Sequence, residues 1–206
     1  MDSRKRCLGN IKVEQTVFFL CDMQEKFKPV IAYFKEILEV AKRLVTASKY
    51  LEIPLVVTEQ YPKGLGRTVT DLQVGHAAGL IHKTKFSMVV PEVEELMARL
   101  CSGNVRHVVL FGIETHVCVQ QTVIDLLERG YEVHVVADAT SSRNHTDRMF
   151  AFERFRHAGA IVTTAEALLM QLVGDKQHPQ FKPIQSLIMA NSPDSGLVPT
   201  LEDTSV

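Results

Sequence analysis

Short apolar runs and helical stripes alternate along this chain. Thr16 to Cys21 is a continuous β-prone run closed by Asp22, whereas Ile37, Leu38, Ala41, Leu44 and Val45 repeat at helical spacing up to Tyr50. Ile53 to Thr58 returns to strand character and completes one βαβ unit. Tyr61 to Gly66 is turn-rich and predicts a rim loop, followed by an irregular stretch to Gly79. Gly79 to Lys83 reads as a short strand, and Val93, Leu96, Met97 and Leu100 form a helical stripe behind Pro91. Val105 to Phe111 carries the strongest strand pattern, Gly112 is expected to mark a tight turn, and Val119, Val123, Leu126 and Leu127 face one side of a helix closed by Gly130. A strand over Tyr131 to Ala137, a helix over Asp147 to His157, a strand over Ala160 to Thr163 and a helix over Ala165 to Leu172 complete the series.

Such alternation predicts an α/β fold: a three-layer, Rossmann-like, mostly parallel six-stranded sheet with helices on both faces. Beyond Gly174 the pattern breaks at Pro179, Pro183, Pro193 and Pro199. The expected organisation is a segment over 1–15, one domain over 16–174 and a carboxyl-terminal arm over 175–206.

Composition narrows the partners. With 206 residues, one sizeable core is expected; 23 Lys and Arg against 24 Asp and Glu give a net charge of -1. No global field draws nucleic acid or an anionic membrane, and Arg106 and His107 interrupt an apolar run already far short of the roughly 20 residues a membrane helix needs. The expectation is a small-molecule substrate, no nucleic acid and no membrane. The four cysteines, Cys7, Cys21, Cys101 and Cys118, show no metal-ligand spacing, which favours a reducing compartment, the cytoplasm.

Cys118 falls just inside a predicted helix amino terminus, where unpaired N–H groups and the helix dipole favour a thiolate; the same position also suits a small buried hydrophobe. Asp22 closes a strand, where open α/β sheets place ligands, yet a carboxylate there also suits a cap on the amides of Gln24 or Glu25. Lys83 and Lys85 read first as solvated lysines, Glu59 and Asp138 as structural acids with Asp138 in a strand-end turn, and Cys7, Cys21 and Cys101 as structural or incidental. His116 has its ring either lining a pocket or pointing to solvent.

Three segments change that balance. Phe18-Phe19-Leu20-Cys21-Asp22-Met23-Gln24-Glu25-Lys26-Phe27, Lys83-Thr84-Lys85-Phe86-Ser87-Met88 and Gly112-Ile113-Glu114-Thr115-His116-Val117-Cys118 resemble, in order, the signature segments of the isochorismatase-like cysteine hydrolases. The resemblance spans roughly Val17 to Leu172, and the tail resembles that of the type-2 isochorismatase domain-containing subgroup. It implies an acid at Asp22, a lysine at Lys83 and a nucleophile at Cys118, with a cis Ile113–Glu114 peptide and an oxyanion hole built from the Glu114 and Cys118 amides. Phe27, Tyr61 and His116 are the candidate substrate-binding residues.

Metal-binding nicotinamidases of that family carry Asp-x-His after the second strand, whereas this chain has Thr58-Glu59-Gln60. No metal and no cofactor are expected at this site. Isochorismatases proper lack the cysteine, so its presence points to a small amide or carbamoyl compound and a thioester intermediate. The resemblance also implies a homo-oligomer, a dimer or tetramer. A binding or scaffold protein that retains the fold is the competing expectation. A nucleotide-binding protein is disfavoured, because the first strand is followed by acids and not by a glycine-rich phosphate loop.

Overall fold

A computed structural model describes residues 8–190 and 192–197. The expectations for Cys7, for Pro199 and for the acidic end lie outside the described residues. Six parallel strands, β1 (Thr16–Cys21), β2 (Leu55–Gln60), β3 (Gly79–Lys83), β4 (His107–Ile113), β5 (Glu132–Ser141) and β6 (Ile161–Thr163), form one sheet in the order β3-β2-β1-β4-β5-β6. The three-layer α/β expectation is met.

Alternation along each strand divides the core. Phe18, Leu20, Val57, Val109, Phe111 and Val136 face one side, where they meet α1 (Phe34–Tyr50), α6 (Ala165–Val173) and α7 (Phe181–Ile188). Val17, Phe19, Cys21, Val108, Leu110, Val133 and Val135 face the other, against α3 (Pro91–Met97), α4 (Gln120–Glu128) and α5 (His145–Ala158). Both sheet faces are covered, so the central strands are apolar throughout and not alternating in polarity. A short α2 (Pro62–Leu65) lies in the rim loop after β2.

The strand order reverses direction between β1 and β4. At such a switch point the connections leave on opposite sides and open a crevice beyond the carboxyl ends of the strands. Asp22, Lys83 and the turn after β4 all lie at that edge.

Two local expectations are corrected. Gly112 lies inside β4 and not in a turn: its φ is 117°, and a Cβ there would sit 2.2 Å from the Cys21 carbonyl oxygen. The glycine is required by the close approach of β1. Asp138 is likewise inside β5, because the β4–β5 register jumps between Leu110 and Gly112 and carries β5 on to Ser141. The Asp138 carboxylate accepts the Ala165 N–H at 2.9 Å and ties β5 to the start of α6.

The arm is packed where it is described. Residues Phe181 to Ile188 form α7 in spite of Pro183, which sits in the first turn where its missing N–H costs nothing. Ile184 is fully buried against the α1 side, and Arg148, itself buried, donates from Nη1 to the Ser195 carbonyl and from Nη2 to the Ala137 carbonyl. Burial lowers the Arg148 pKa to about 10. Ile184→Ala is expected to cost about 2 kcal/mol of unfolding free energy, measured by urea denaturation, because it empties a filled position under α7.

Candidate active site

Asp22 follows β1 with φ at 49°, a left-handed conformation that aspartate tolerates better than most residues. The alternative reading of a cap is not met: Gln24 N–H donates to the Asp22 main-chain carbonyl at 2.8 Å, which leaves the carboxylate free to turn inward. There Thr58 Oγ1 donates to Asp22 Oδ1 at 2.8 Å, and Lys83 Nζ donates to Asp22 Oδ2 at 2.7 Å. Both members of this ion pair have fully buried side chains.

A buried charge pair is tolerable only when the rest of its hydrogen-bonding capacity is used. Lys83 Nζ also donates to Gln60 Oε1 at 2.7 Å, the Phe86 carbonyl at 2.8 Å and the Lys85 carbonyl at 3.2 Å. The Lys83-to-Phe86 segment thus wraps its own ammonium. Burial works against the Lys83 charge, but Cys21, Asp22 and Cys118 around it outweigh burial and raise its pKa above the ordinary lysine value. Lys85 differs: half exposed, it pairs with Asp125 at 2.8 Å.

Cys118 lies in a π-helical turn, Thr115–Val119, that runs directly into α4. The Glu114 carbonyl accepts from both Val117 N–H, at 3.1 Å, and Val119 N–H, at 3.2 Å, and this winds the turn more widely than an α-helix. The Ile113–Glu114 peptide is cis. Thr122 Oγ1 donates to the Cys118 carbonyl at 2.6 Å and accepts the Met88 N–H at 2.9 Å, which fixes the turn to the loop that follows Lys83. Cys118 is 5% exposed, Lys83 4% and Asp22 0%, so solvent reaches little beyond the nucleophile candidate.

Cys21, incidental by sequence, has its Sγ 3.5 Å from Asp22 Oδ2 and within interaction range of Cys118. Burial, then the Cys118 contact and the Asp22 charge, raises its pKa well above the usual thiol value, so Cys21 remains a neutral donor. Thr58, Gln60 and Gln24 also escape the sequence reading. Gln24 Oε1 accepts the Gln60 N–H at 2.7 Å while its Nε2 donates to the Gln60 carbonyl at 3.0 Å, and Gln60 in turn holds Lys83. The available signal is the spacing of Thr58 and Gln60, two polar residues on one face of a buried strand end.

The proposed substrate contacts are dispersed. Tyr61 is 54% exposed on the rim, and Phe27 packs at the edge of the α1-side core. The His116 Nδ1 is 2.9 Å from Ser142 Oγ and its Nε2 3.7 Å from Asp147, so the ring faces a 570 Å³ surface groove against α5. Glu114 turns its side chain to Arg143, at 3.4 Å.

Glu59 accepts Thr68 N–H at 2.7 Å, Thr68 Oγ1 at 3.0 Å and Arg67 at 3.1 Å, which anchors the rim loop. Burial opposes its charge, but these donors outweigh it and hold its pKa below the ordinary glutamate value. The unfolded chain therefore takes up the proton at higher pH, so this stabilisation is complete above the ordinary glutamate pKa and lost as pH falls through the folded one. Glu59→Gln is expected to cost about 1–2 kcal/mol at neutral pH. Urea midpoints followed into acid should then converge with those of the wild type.

The match to known proteins covers this same frame. The isochorismatase domain model matches residues 16–167. Isochorismatase domain-containing protein 1 of Salmo salar is 57% identical over 191 residues, 93% of this chain and 67% of that protein. Isochorismatase domain-containing protein 2 of Xenopus laevis is 50% identical over 196 residues, 95% of this chain and 94% of that protein. Identity is thus higher to the type-1 relative, and agreement in length is better with the type-2 relative. A solved structure named MAR1 ribonuclease, from Caenorhabditis elegans, is 52% identical and superposes with a TM-score of 0.87 over 93% of this chain and 98% of that one.

Proposed function

The chain belongs to the isochorismatase family, and from that premise we propose that it is a metal-independent cysteine hydrolase acting on a small amide or carbamoyl compound. The observation that carries the reading is the fully buried Asp22–Lys83 ion pair at 2.7 Å, set beside Cys118 in a nearly closed site. Buried charge is costly, and here it is held where a thiol proton can be taken up.

In the proposed reaction the Asp22 carboxylate accepts the Cys118 proton while Lys83 keeps the acid oriented and balances its charge. The thiolate attacks the substrate carbonyl carbon, and the resulting oxyanion is held by the Glu114 and Cys118 N–H groups. Asp22 returns the proton to the leaving nitrogen, the C–N bond breaks, and a thioester to Cys118 remains. Water, giving its proton to Asp22, then attacks the thioester; collapse releases the acid and returns the proton to sulfur.

The name of the Caenorhabditis elegans neighbour raises RNA as a substrate. The small-amide reading is favoured because Asp22 is fully buried and Cys118 only 5% exposed, which suits a small electrophile better than a polyanionic chain facing a carboxylate. The scaffold reading is weakened by the maintenance of a charged pair with no need for it in a binding surface. A homo-oligomer belongs to the same proposal and is measured by sedimentation.

The test is incubation of the purified protein with a panel of small amides and carbamoyl compounds, and separately with single-stranded RNA. Ammonia release from a panel member, with a mass increment equal to the acyl group on Cys118, is the expected result. RNA cleavage without amide turnover, or an acyl group located on another residue, would overturn the proposal.

A further inference from the structure

At the opposite edge of the sheet, where strands begin, three side chains converge that the reaction does not use. His107 opens β4, Glu132 opens β5 directly beside it, and His134 follows two residues later on the same face. One donor atom from each lies within 4.8 Å of the other two. His134 is fully buried, and neither of its ring nitrogens has a hydrogen-bond partner among the described residues; the same is true of His107 Nδ1. Buried imidazole nitrogens ordinarily find a partner, so two buried rings with orphaned nitrogens, each offering one to the same small cluster, require an explanation.

We propose that His107, Glu132 and His134 form a binding site for one divalent transition-metal cation of the zinc class. Two imidazoles and one carboxylate are a donor set that zinc takes readily, with a fourth position left for water. Donors around tetrahedral zinc stand about 3.3 Å apart, given metal–ligand distances of about 2.0–2.2 Å. His107 Nδ1 and Glu132 Oε2 are already 3.4 Å apart, yet they make no hydrogen bond. The two sides that end on His134 are each at most 4.8 Å, so closing them needs shifts of about 1.5 Å or less, within reach of a side-chain rotation.

The form of the ligands fits as well. Metal ligation needs neutral imidazoles, and burial opposes the charged form of both rings. The Glu132 side chain, 42% exposed, gives the cation a way in from solvent. Because β4 runs its full length between His107 and the turn that bears Cys118, the two sites lie about 20 Å apart. The cation would therefore clamp the first residues of β4 and β5 and take no part in amide hydrolysis. It is also distinct from a metal bound after β2, at the other edge.

The test uses the full chain, freed of metal by chelation and carrying Cys118→Ala so that the site thiol does not bind the probe. Zn²⁺ is titrated by calorimetry, and Co²⁺ by absorption. One equivalent should bind, the cobalt spectrum should lack a thiolate charge-transfer band, and zinc should raise the melting temperature. His134→Ala and the conservative Glu132→Gln, which alters a partly exposed side chain and keeps its shape, should each weaken uptake by about 100-fold or more. No uptake, uptake that survives either substitution unchanged, or a cobalt–thiolate band overturns the proposal.

Discussion

Cys118→Ala is expected to lower amide turnover by about 10⁴-fold while the protein keeps its fold and its affinity for substrate. The magnitude is that of deleting a nucleophile whose partners act as a unit, and it corresponds to about 5 kcal/mol of lost barrier reduction. The fold should survive because the change removes a single sulfur from a helix turn whose main chain is fixed by Thr122 and by the Glu114 carbonyl. Asp22→Asn should cause a similar loss, since an amide does not accept the thiol proton, and combining the two should add little. Initial rates of ammonia release for the two single variants and the double variant decide the matter. Independent, multiplicative losses would mean that Asp22 and Cys118 do not share one proton transfer.

Lys83→Met should cost about 3–5 kcal/mol of stability, because it leaves the Asp22 carboxylate buried without its counter-charge. Among the described residues, Thr58 and the weakly donating Cys21 thiol are the side-chain hydrogen-bond donors that remain to it. Asp22→Asn introduced into Lys83→Met should recover much of the loss by removing the orphaned charge, a non-additivity that a double-mutant cycle read by urea denaturation measures directly. Lys83→Arg should not substitute, since the ammonium is met by four oxygens and a planar guanidinium cannot address them from that point.

The sheet and its helices are legible because the central strands are buried on both faces and so run as uninterrupted apolar stretches, Thr16 to Cys21 above all. Where the pattern misleads, a long-range contact is the cause. Gly112 looks like a turn residue in sequence, but its need for a missing side chain comes from the Cys21 carbonyl of a distant strand, β1. Asp138 belongs to β5 because of a register jump against β4, and α7 forms in a proline-broken tail because α1 and α6 offer Ile184 a buried seat.

Within the site, Asp22, Lys83 and Cys118 stand out through the resemblance, and the structure brings Asp22 to Lys83 with Cys118 beside them. Their supports do not stand out. Thr58, Gln60, Gln24 and Cys21 are ordinary residues whose roles arise only when the ends of β1, β2 and β3 are laid side by side. Phe27, Tyr61 and His116 are residue types that suit ligand contact, and each lies in a different neighbourhood.

The unequal surroundings of the described cysteines also give the protein a built-in reporter. Cys21 is sealed and burial keeps its proton on, and burial likewise raises the pKa of the more exposed Cys101, whereas Cys118, 5% exposed, lies beside a buried cation. A mild alkylating reagent should therefore mark Cys118 before the other two, and any compound that occupies the site should slow that marking. Protection from alkylation then ranks candidate ligands by occupancy alone, whatever reaction they undergo.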